Sequence, residues 1–470
     1  MNLRQRILAG VASAAIAAMA PVTAIAETLG DALVSAYNNS GLLDQNRALL
    51  RAADEDVAIA FAAVRPIIGW SATAQRSYSR FSSTATGGVT ASSNATTATI
   101  GLSIEQLLYD NGATNLAIAA AKETVLATRQ SLISVEQQVL LNAVQAFMNV
   151  RRDNEILTLR QNNLRLLNRE LRAAKDRFEV GEVTRTDVSL AEAALAGARA
   201  SLAVAHGNLM ASREVYAVAI GHKPGNLRAP SRLPATAKTA DAAKAVAVSR
   251  HPDMIKTQHD VATAELSVQR ARAQMGATVK FNGSLSKTET QGSSDFSDGA
   301  NFSVSLSQPI YYGGQLSALL RKTMAQRDAT RAGLHLTRIG LERQAGTAWA
   351  TLSATRAQRV ASEGQIRAAR LAFEGVREEA TLGSRTTLDV LNSEQVLLDA
   401  ESDRITARSN EFIAAYSLLA SMGLLTADHL NLKIEQYDPA AYYNQVKDAP
   451  ALVSKRGKQL DKVLRKLGKD

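Results

Sequence analysis

Residues 113–180 contain neither glycine nor proline, and this run constrains the fold more tightly than anything else in the chain. Its apolar residues recur at helical spacing: Leu132, Val135 and Val139; Leu140, Val144 and Phe147; Leu157, Leu164, Leu167 and Leu171. One unbroken helix of that length measures about 100 Å at a rise of about 1.5 Å per residue. Globular helices rarely exceed about 25 residues. A helix this long must lean on others, in a coiled coil or a helical tube. Proline is as sparse elsewhere, with none between Pro66 and Pro224 and none between Pro309 and Pro439.

Two pairs of short segments follow a different period. Ala98, Ile100, Leu102 and Ile104 alternate with Thr97, Thr99, Gly101, Ser103 and Glu105. Phe302, Val304 and Leu306 alternate with serines, and Val279, Phe281 and Leu285 alternate with Lys280, Asn282, Ser284 and Ser286. A period of two with one apolar face marks strands. Trp70 to Phe81 alternates less cleanly and reads as a strand on weaker grounds. Polar loops at Thr84–Asn94 and Gln291–Asn301 make each pair a hairpin. Residues 66–112 and 275–314 hold nine of the 21 aromatics, over twice their share. Trp70, Tyr109, Tyr311 and Tyr312 fall at strand ends next to the helices, where a membrane-interface girdle lies in a barrel. The plainer reading of these aromatics is ordinary strand propensity.

The chain repeats itself. Leu102 to Gly112 matches Val304 to Gly314, and Val180 to Val188 matches Leu382 to Val390, both at an offset of 202. The expected organisation is a first repeat over 27–220, a linker over 221–239 with Pro224, Pro230 and Pro234, a second repeat over 240–426, and a basic tail over 427–470. Each repeat reads helix, strand, strand, very long helix, tight turn, helix.

The first 26 residues read as a secretory signal peptide. Arg4 and Arg6 form a basic start, Ile7 to Ala20 an apolar stretch, and Ala24-Ile25-Ala26 a small-residue cleavage site. After residue 26 no run of 18 apolar residues suggests a transmembrane helix, and mean hydropathy is −0.10. An exported chain of this kind is soluble outside the inner membrane or a β-barrel, the other fold that satisfies its backbone in lipid. With four strands per chain, no barrel can close on its own, because open edges are not tolerated in lipid. The smallest barrels have about eight strands, so the chain must assemble with copies of itself, and only larger assemblies leave an aqueous lumen.

The duplicated Gln-x-x-Tyr-x-x-Gly junctions at Gln106 and Gln308, together with the duplicated turns at Gly181 and Gly383, resemble the TolC family of outer-membrane channels over roughly Thr28 to Leu432. The resemblance implies an α+β membrane protein in the cell outer membrane that extends into the periplasm. It would be a homotrimer in which each protomer gives four strands to a 12-stranded β-barrel, continued by a long α-helical coiled-coil barrel. It also implies a periplasmic adaptor (membrane fusion) protein and an inner-membrane transporter, ABC or proton-driven, as partners. By position, Arg385 matches the family's gating arginine, and Thr186 and Asp187 match its partners on the neighbouring helix pair. Asp389 matches one carboxylate of the pore's acidic ring. Asn392 stands where the prototype has a second Asp, and Ala380 where it has a gate tyrosine. Gly181 and Gly383 match the tip glycines where the adaptor's hairpins pack. Three Asp389 side chains around a narrow opening would favour cations. The plainer reading makes Asp187 and Asp389 helix caps or solvated charges.

Other signals exclude more than they suggest. The chain has no cysteine, which removes disulfides, thiolate metal sites, a Cys nucleophile and a lipidated N-terminal Cys. That last absence resembles the non-lipidated secretion and multi-use branch of the family. The six histidines are scattered without metal-ligand spacing. No nucleotide-binding or nucleophile motif is present, so neither an enzyme nor a cofactor is expected. The net charge of +10 is modest for the length and does not call for nucleic acid. Seven basic residues against two acidic ones crowd the last sixteen. Leu460, Val463, Leu464 and Leu467 give that stretch one short apolar face. For the tail after Leu432 a mobile solvated segment is the expectation, with contact to anionic lipid or to the adaptor as the sharper alternative. The leading expectation for function is a passive exit duct for type I protein secretion or drug efflux. The alternative is a periplasmic coiled-coil structural or adaptor-like protein without a pore.

Overall fold

The computed structural model describes residues 26–82, 87–88, 90–292, 294, 296–435, 437–451 and 454–466. The signal peptide lies outside them up to residue 25, as does Leu467.

The first repeat runs α1 (Leu29–Asn39), α2 (Gly41–Ala62), β1 (Ile67–Ser82), β2 (Thr90–Tyr109), α3 (Ala113–Glu179) and α4 (Arg185–Ile220). The second runs α5 (Ala240–Arg250), α6 (Pro252–Ala273), β3 (Thr278–Thr290), β4 (Phe296–Ser307), α7 (Gln315–Thr381) and α8 (Thr387–Ser421). Two short helices follow, α9 (Pro439–Val446) and α10 (Lys455–Lys466). The expected long helix is α3, 67 residues, and its counterpart α7 has the same 67. The opening helix of each repeat is broken in two, a difference from the sequence reading. The break falls at Ser40 in the first repeat and at His251 in the second. At His251 the ring Nδ1 accepts from Asp253 N at 3.1 Å, and Pro252 takes the first helical position, where its missing N–H costs nothing.

The helices keep one offset of 202 from Ala113 to Gln315 and from Arg185 to Thr387, but 211 from Leu29 to Ala240 and from Gly41 to Pro252. The nine-residue change falls in the hairpins. Strands β1 and β2 have 16 and 20 residues, whereas β3 and β4 have 13 and 12.

Two compact units form, and each draws on both repeats. One takes residues 136–243 and 344–434 with α1. The other takes 42–135, 244–343 and the residues after 434.

In the second unit the strands make one antiparallel sheet in the order β1-β2-β3-β4. Register sorts the side chains onto two faces. Ile68, Ile104, Gly283 and Phe302 form one cross-strand row, and Trp70, Leu102, Leu285 and Ala300 form the next. Two rows on the opposite face read Gly69, Ser103, Ser284, Asn301 and Thr73, Thr99, Thr288, Ser297. Gly283 stands where the apolar alternation of β3 skips a residue. A Cβ there would come within 2.7 Å of Ile104 Cγ2 and 3.0 Å of the Phe302 ring, so the neighbours fill its place. The same unit buries Leu50, Val57 and Val125, with Tyr437 and Tyr443 against them.

The expected solvated tail is therefore packed over its first part. The Tyr442 hydroxyl donates to Glu55 at 2.6 Å, and Val446 is fully buried. Arg47 and Arg129 lie over the rings of Tyr437 and Tyr443, each 5.4 Å from the centroid.

In the first unit Leu140, Val144, Phe147, Leu418 and Leu425 are sealed from solvent. Each such side chain contributes roughly 1.5–3 kcal/mol by burial. Glu27, the first residue after the expected cleavage site, pairs with 226–228: its N donates to Asn226 O and its O accepts from Arg228 N, both at 2.9 Å. Helix α4 carries a window of mean hydropathy 1.3, long and apolar enough by composition to cross a membrane, which the sequence reading did not expect. Alanine, leucine and valine supply that hydropathy, and Val204, Met210, Val215 and Val218 are exposed.

Candidate functional site: the two helix-to-helix turns

The α3–α4 and α7–α8 turns, both in the first unit, have the same backbone design. At the first, Gly181 adopts φ +80°, a conformation that costs glycine nothing. Its N donates to Phe178 O at 3.1 Å, and Glu182 N donates to Arg177 O at 2.9 Å. These bonds satisfy carbonyls left over at the end of α3. At the second, Gly383 adopts φ +78°, Gly383 N donates to Ala380 O at 3.2 Å, and Ser384 N donates to Glu379 O at 3.0 Å.

Each following helix then starts from a reciprocal cap. Thr184 Oγ1 accepts from Asp187 N at 3.3 Å, while Asp187 Oδ2 accepts from Thr184 N at 2.9 Å and from Thr184 Oγ1 at 2.7 Å. Thr386 and Asp389 repeat this at 3.2, 3.0 and 2.8 Å. Such a box ties down amides that the first turn leaves unpaired. The hydrogen bonds from Thr184 hold the Asp187 carboxyl below the usual range. The hydrogen bonds from Thr386, with the nearby Arg385 charge, do the same for Asp389. The plainer reading of these aspartates as caps describes the chain correctly. A carboxylate capped in this way stays ionised.

Arg385 does not meet Asp187 within the chain. Its Nε donates to Glu379 Oε2 at 2.8 Å, across the turn, with both side chains half-exposed. Hydrogen bonding to Glu379, then the charges of Glu379 and Asp389, hold the guanidinium above its ordinary value. The first turn has Arg177 and Val183 at the matching positions, so the pair belongs to the second turn alone. Thr186 and Asn392 are exposed on α4 and α8.

Two further residues escaped the sequence reading. Glu379 is one. The other is Glu394, which is 4% exposed and accepts from Asn163 Nδ2 at 2.6 Å, from α3 to α8. Burial, then the nearby Glu170 charge, push its carboxyl up to about 7, against the lowering effect of the Asn163 bond. The signal was legible: Val390, Glu394 and Leu398 are all buried at a spacing of four, which puts an acid in an apolar stripe.

At the sheet, the aromatics of the expected girdle are exposed to solvent. Trp70 is 77% exposed and Tyr311 83%, with Tyr109 and Tyr312 also exposed. Among the described residues no group of three or more His, Asp or Glu could hold a metal ion.

Residues 32–222 and 245–424 match the family model described as outer membrane efflux protein. The chain belongs to that family. It is 36% identical over 427 residues to the outer membrane efflux protein BepC of Brucella suis, covering 90% of this chain and 91% of the relative. It is 23% identical over 340 residues to the outer membrane protein TolC of Vibrio cholerae, covering 69% and 76%. The crystal structure of the Campylobacter jejuni CmeC outer membrane channel superposes with a TM-score of 0.75 at 16% identity, over 89% of each chain. The fold is thus the one the resemblance implied: long helices continued by a four-stranded share of a β-barrel. The protein is an outer membrane efflux channel that extends into the periplasm. Its family and its neighbours are channels rather than enzymes.

Proposed function

We infer that three copies of the chain form a passive exit duct of a tripartite export system, opened by a periplasmic adaptor and an inner-membrane transporter. One observation carries this reading. The sheet has an exposed apolar face, a Ser- and Thr-rich face, and two unpaired edges, β1 and β4. Exposed edges and an apolar face are costly in water and useful in lipid once copies close the ring. Three copies give twelve strands, enough for an aqueous lumen lined by the Ser and Thr face. A coiled coil without a pore has no use for such a sheet.

Small-molecule efflux is favoured over protein secretion as the main task, because the relatives carrying efflux in their names include the one that spans nine-tenths of the chain. In this reading the repeats over 27–220 and 240–426 are the two halves of each protomer's wall, joined by the 221–239 linker. The Gly181 and Gly383 turns receive the adaptor, where a missing Cβ permits close approach. Arg385, Thr186 and Asp187 hold the periplasmic gate between neighbouring protomers, Asp389 supplies one carboxylate per chain to the pore, and Asn392 leaves the second position neutral. Trp70, Tyr109, Tyr311 and Tyr312 mark the membrane interface.

Native mass spectrometry of the detergent-extracted protein tests the assembly. A trimer is expected, and a stable monomer would refute the shared barrel.

A further inference from the structure

Helix α10 is left over by the channel reading, yet two contacts tie it to the base of the barrel sheet. Arg65 sits two residues before β1 begins at Ile67. Its Nη1 donates to Ala449 O at 2.7 Å. The neighbouring Asp448 accepts from Arg456 Nη1, also at 2.7 Å, and Arg456 lies in the first turn of α10. Ser454 caps the helix, its Oγ accepting from Gly457 N at 3.0 Å. The start of a membrane strand is thus linked through Arg65, Ala449, Asp448 and Arg456 to a basic helix. The six Cα-to-Cα steps from Ala449 to Lys455 could span at most about 20 Å even if fully extended.

The helix has the composition of a surface-lying amphipathic segment. Lys455, Arg456, Lys458 and Lys462 are exposed, and Lys466 and Arg465 follow. Asp461 is the one acid in the helix. By spacing, Leu460, Val463 and Leu464 share one helical face. Opposed basic and apolar faces bind membranes that carry negative headgroups. The strand ends beside Arg65 also carry the exposed aromatics of the expected interface.

We propose that α10 lies on the periplasmic leaflet of the outer membrane around the barrel base and binds anionic phospholipid headgroups through Lys455, Lys458 and Lys462. The proposal rests on the barrel reading for the position of the interface. The charge fits phosphate-bearing lipid, and the continuity with β1 puts the helix at the depth of those headgroups.

The lack of native cysteine makes the test direct. Leu460→Cys in the full-length channel is labelled with an environment-sensitive fluorophore, and the channel is reconstituted into two kinds of vesicle, phosphatidylcholine alone and phosphatidylcholine mixed with phosphatidylglycerol. A blue-shifted emission with several-fold weaker iodide quenching is expected in the anionic vesicles only. It should vanish in about 1 M salt, where the Debye length falls to about 3 Å. It should also vanish in the combined Lys455→Glu, Lys458→Glu and Lys462→Glu variant. Gln459→Cys repeats the measurement if the Leu460 label disturbs folding. Equal emission in both vesicles overturns the proposal, as does protection that arises only on adding the periplasmic adaptor. Channel conductance recorded on the same vesicles separates the two readings. A conducting channel with an unresponsive label refutes the lipid contact alone, whereas absent conductance refutes the barrel.

Discussion

Arg385 and Glu379 are bonded to each other across a single turn, Nε to Oε2 at 2.8 Å. The first-repeat turn has no equivalent pair, since Val183 and Arg177 occupy the matching positions. The two turns share a backbone and differ in charge. In the proposed gate Arg385 has two potential acceptors, Glu379 in its own turn and Asp187 of a neighbouring protomer. Arg385→Ala should therefore loosen the closed state and raise open-channel occupancy several-fold in planar bilayers. Glu379→Gln frees Arg385 for its neighbour and should leave the channel as closed as before or more so. Unchanged occupancy in Arg385→Ala would remove the arginine from the gate.

Asp389 caps α8 and, in the proposed assembly, charges the pore. The two roles separate by mutation. Thr386→Ala removes a capping hydroxyl but keeps the carboxylate, so it should cost roughly 1 kcal/mol of helix stability and keep cation selectivity. Asp389→Asn should lower selectivity, read as a reversal-potential shift under a salt gradient. Selectivity that survives Asp389→Asn would leave the residue a cap and nothing more.

Glu394 makes stability depend on pH in a defined direction. Its folded value of about 7 lies above the ordinary 4.5. The folded chain therefore holds a proton that the unfolded chain has released, and stability falls as pH rises from about 4.5 to about 7. A shift of that size corresponds to at most about 3 kcal/mol. Glu394→Gln keeps an acceptor for Asn163 and removes the charge. It should raise the thermal midpoint of the helical signal at pH 8 and change little at pH 5. Equal midpoints of both proteins at pH 8 would contradict a buried ionising Glu394.

Gly283 sits under Ile104 and Phe302 in the apolar face of the sheet. Gly283→Val should force those side chains apart, at about 1–3 kcal/mol for overpacking. The measurement is the temperature at which the assembled β-signal is lost in circular dichroism. A variant as heat-stable as the parent would mean that the row is looser than its geometry indicates.

Much of this architecture was legible in the residues. The Gly- and Pro-free run specified α3, and the period-two segments gave β2, β3 and β4. Helix α7 could be read by its lack of proline even though Gly333, Gly340, Gly346, Gly364 and Gly375 interrupt it. A long helix with many partners outlasts the roughly 1 kcal/mol cost of each glycine. Strand β1 read weakly because its own alternation is poor. It forms because each residue from Ile67 to Ser82 finds a partner on β2, information that lies in another segment. The packed tail was illegible for the same reason, since Tyr442 and Tyr443 are anchored by Glu55 and Arg129, hundreds of residues away. At the turns, glycines and capping aspartates are local signatures and could be read. The Arg385 to Glu379 bond could not, because the helix end and the turn's curvature decide which charges meet.

The central claim is that copies of this chain enclose a pore. Single-channel recording of the purified protein in a planar bilayer tests it most directly. Discrete conductance steps are predicted, cation-selective and raised in occupancy by Arg385→Ala. A correctly folded, membrane-inserted protein that carries no current in either form would contradict the account.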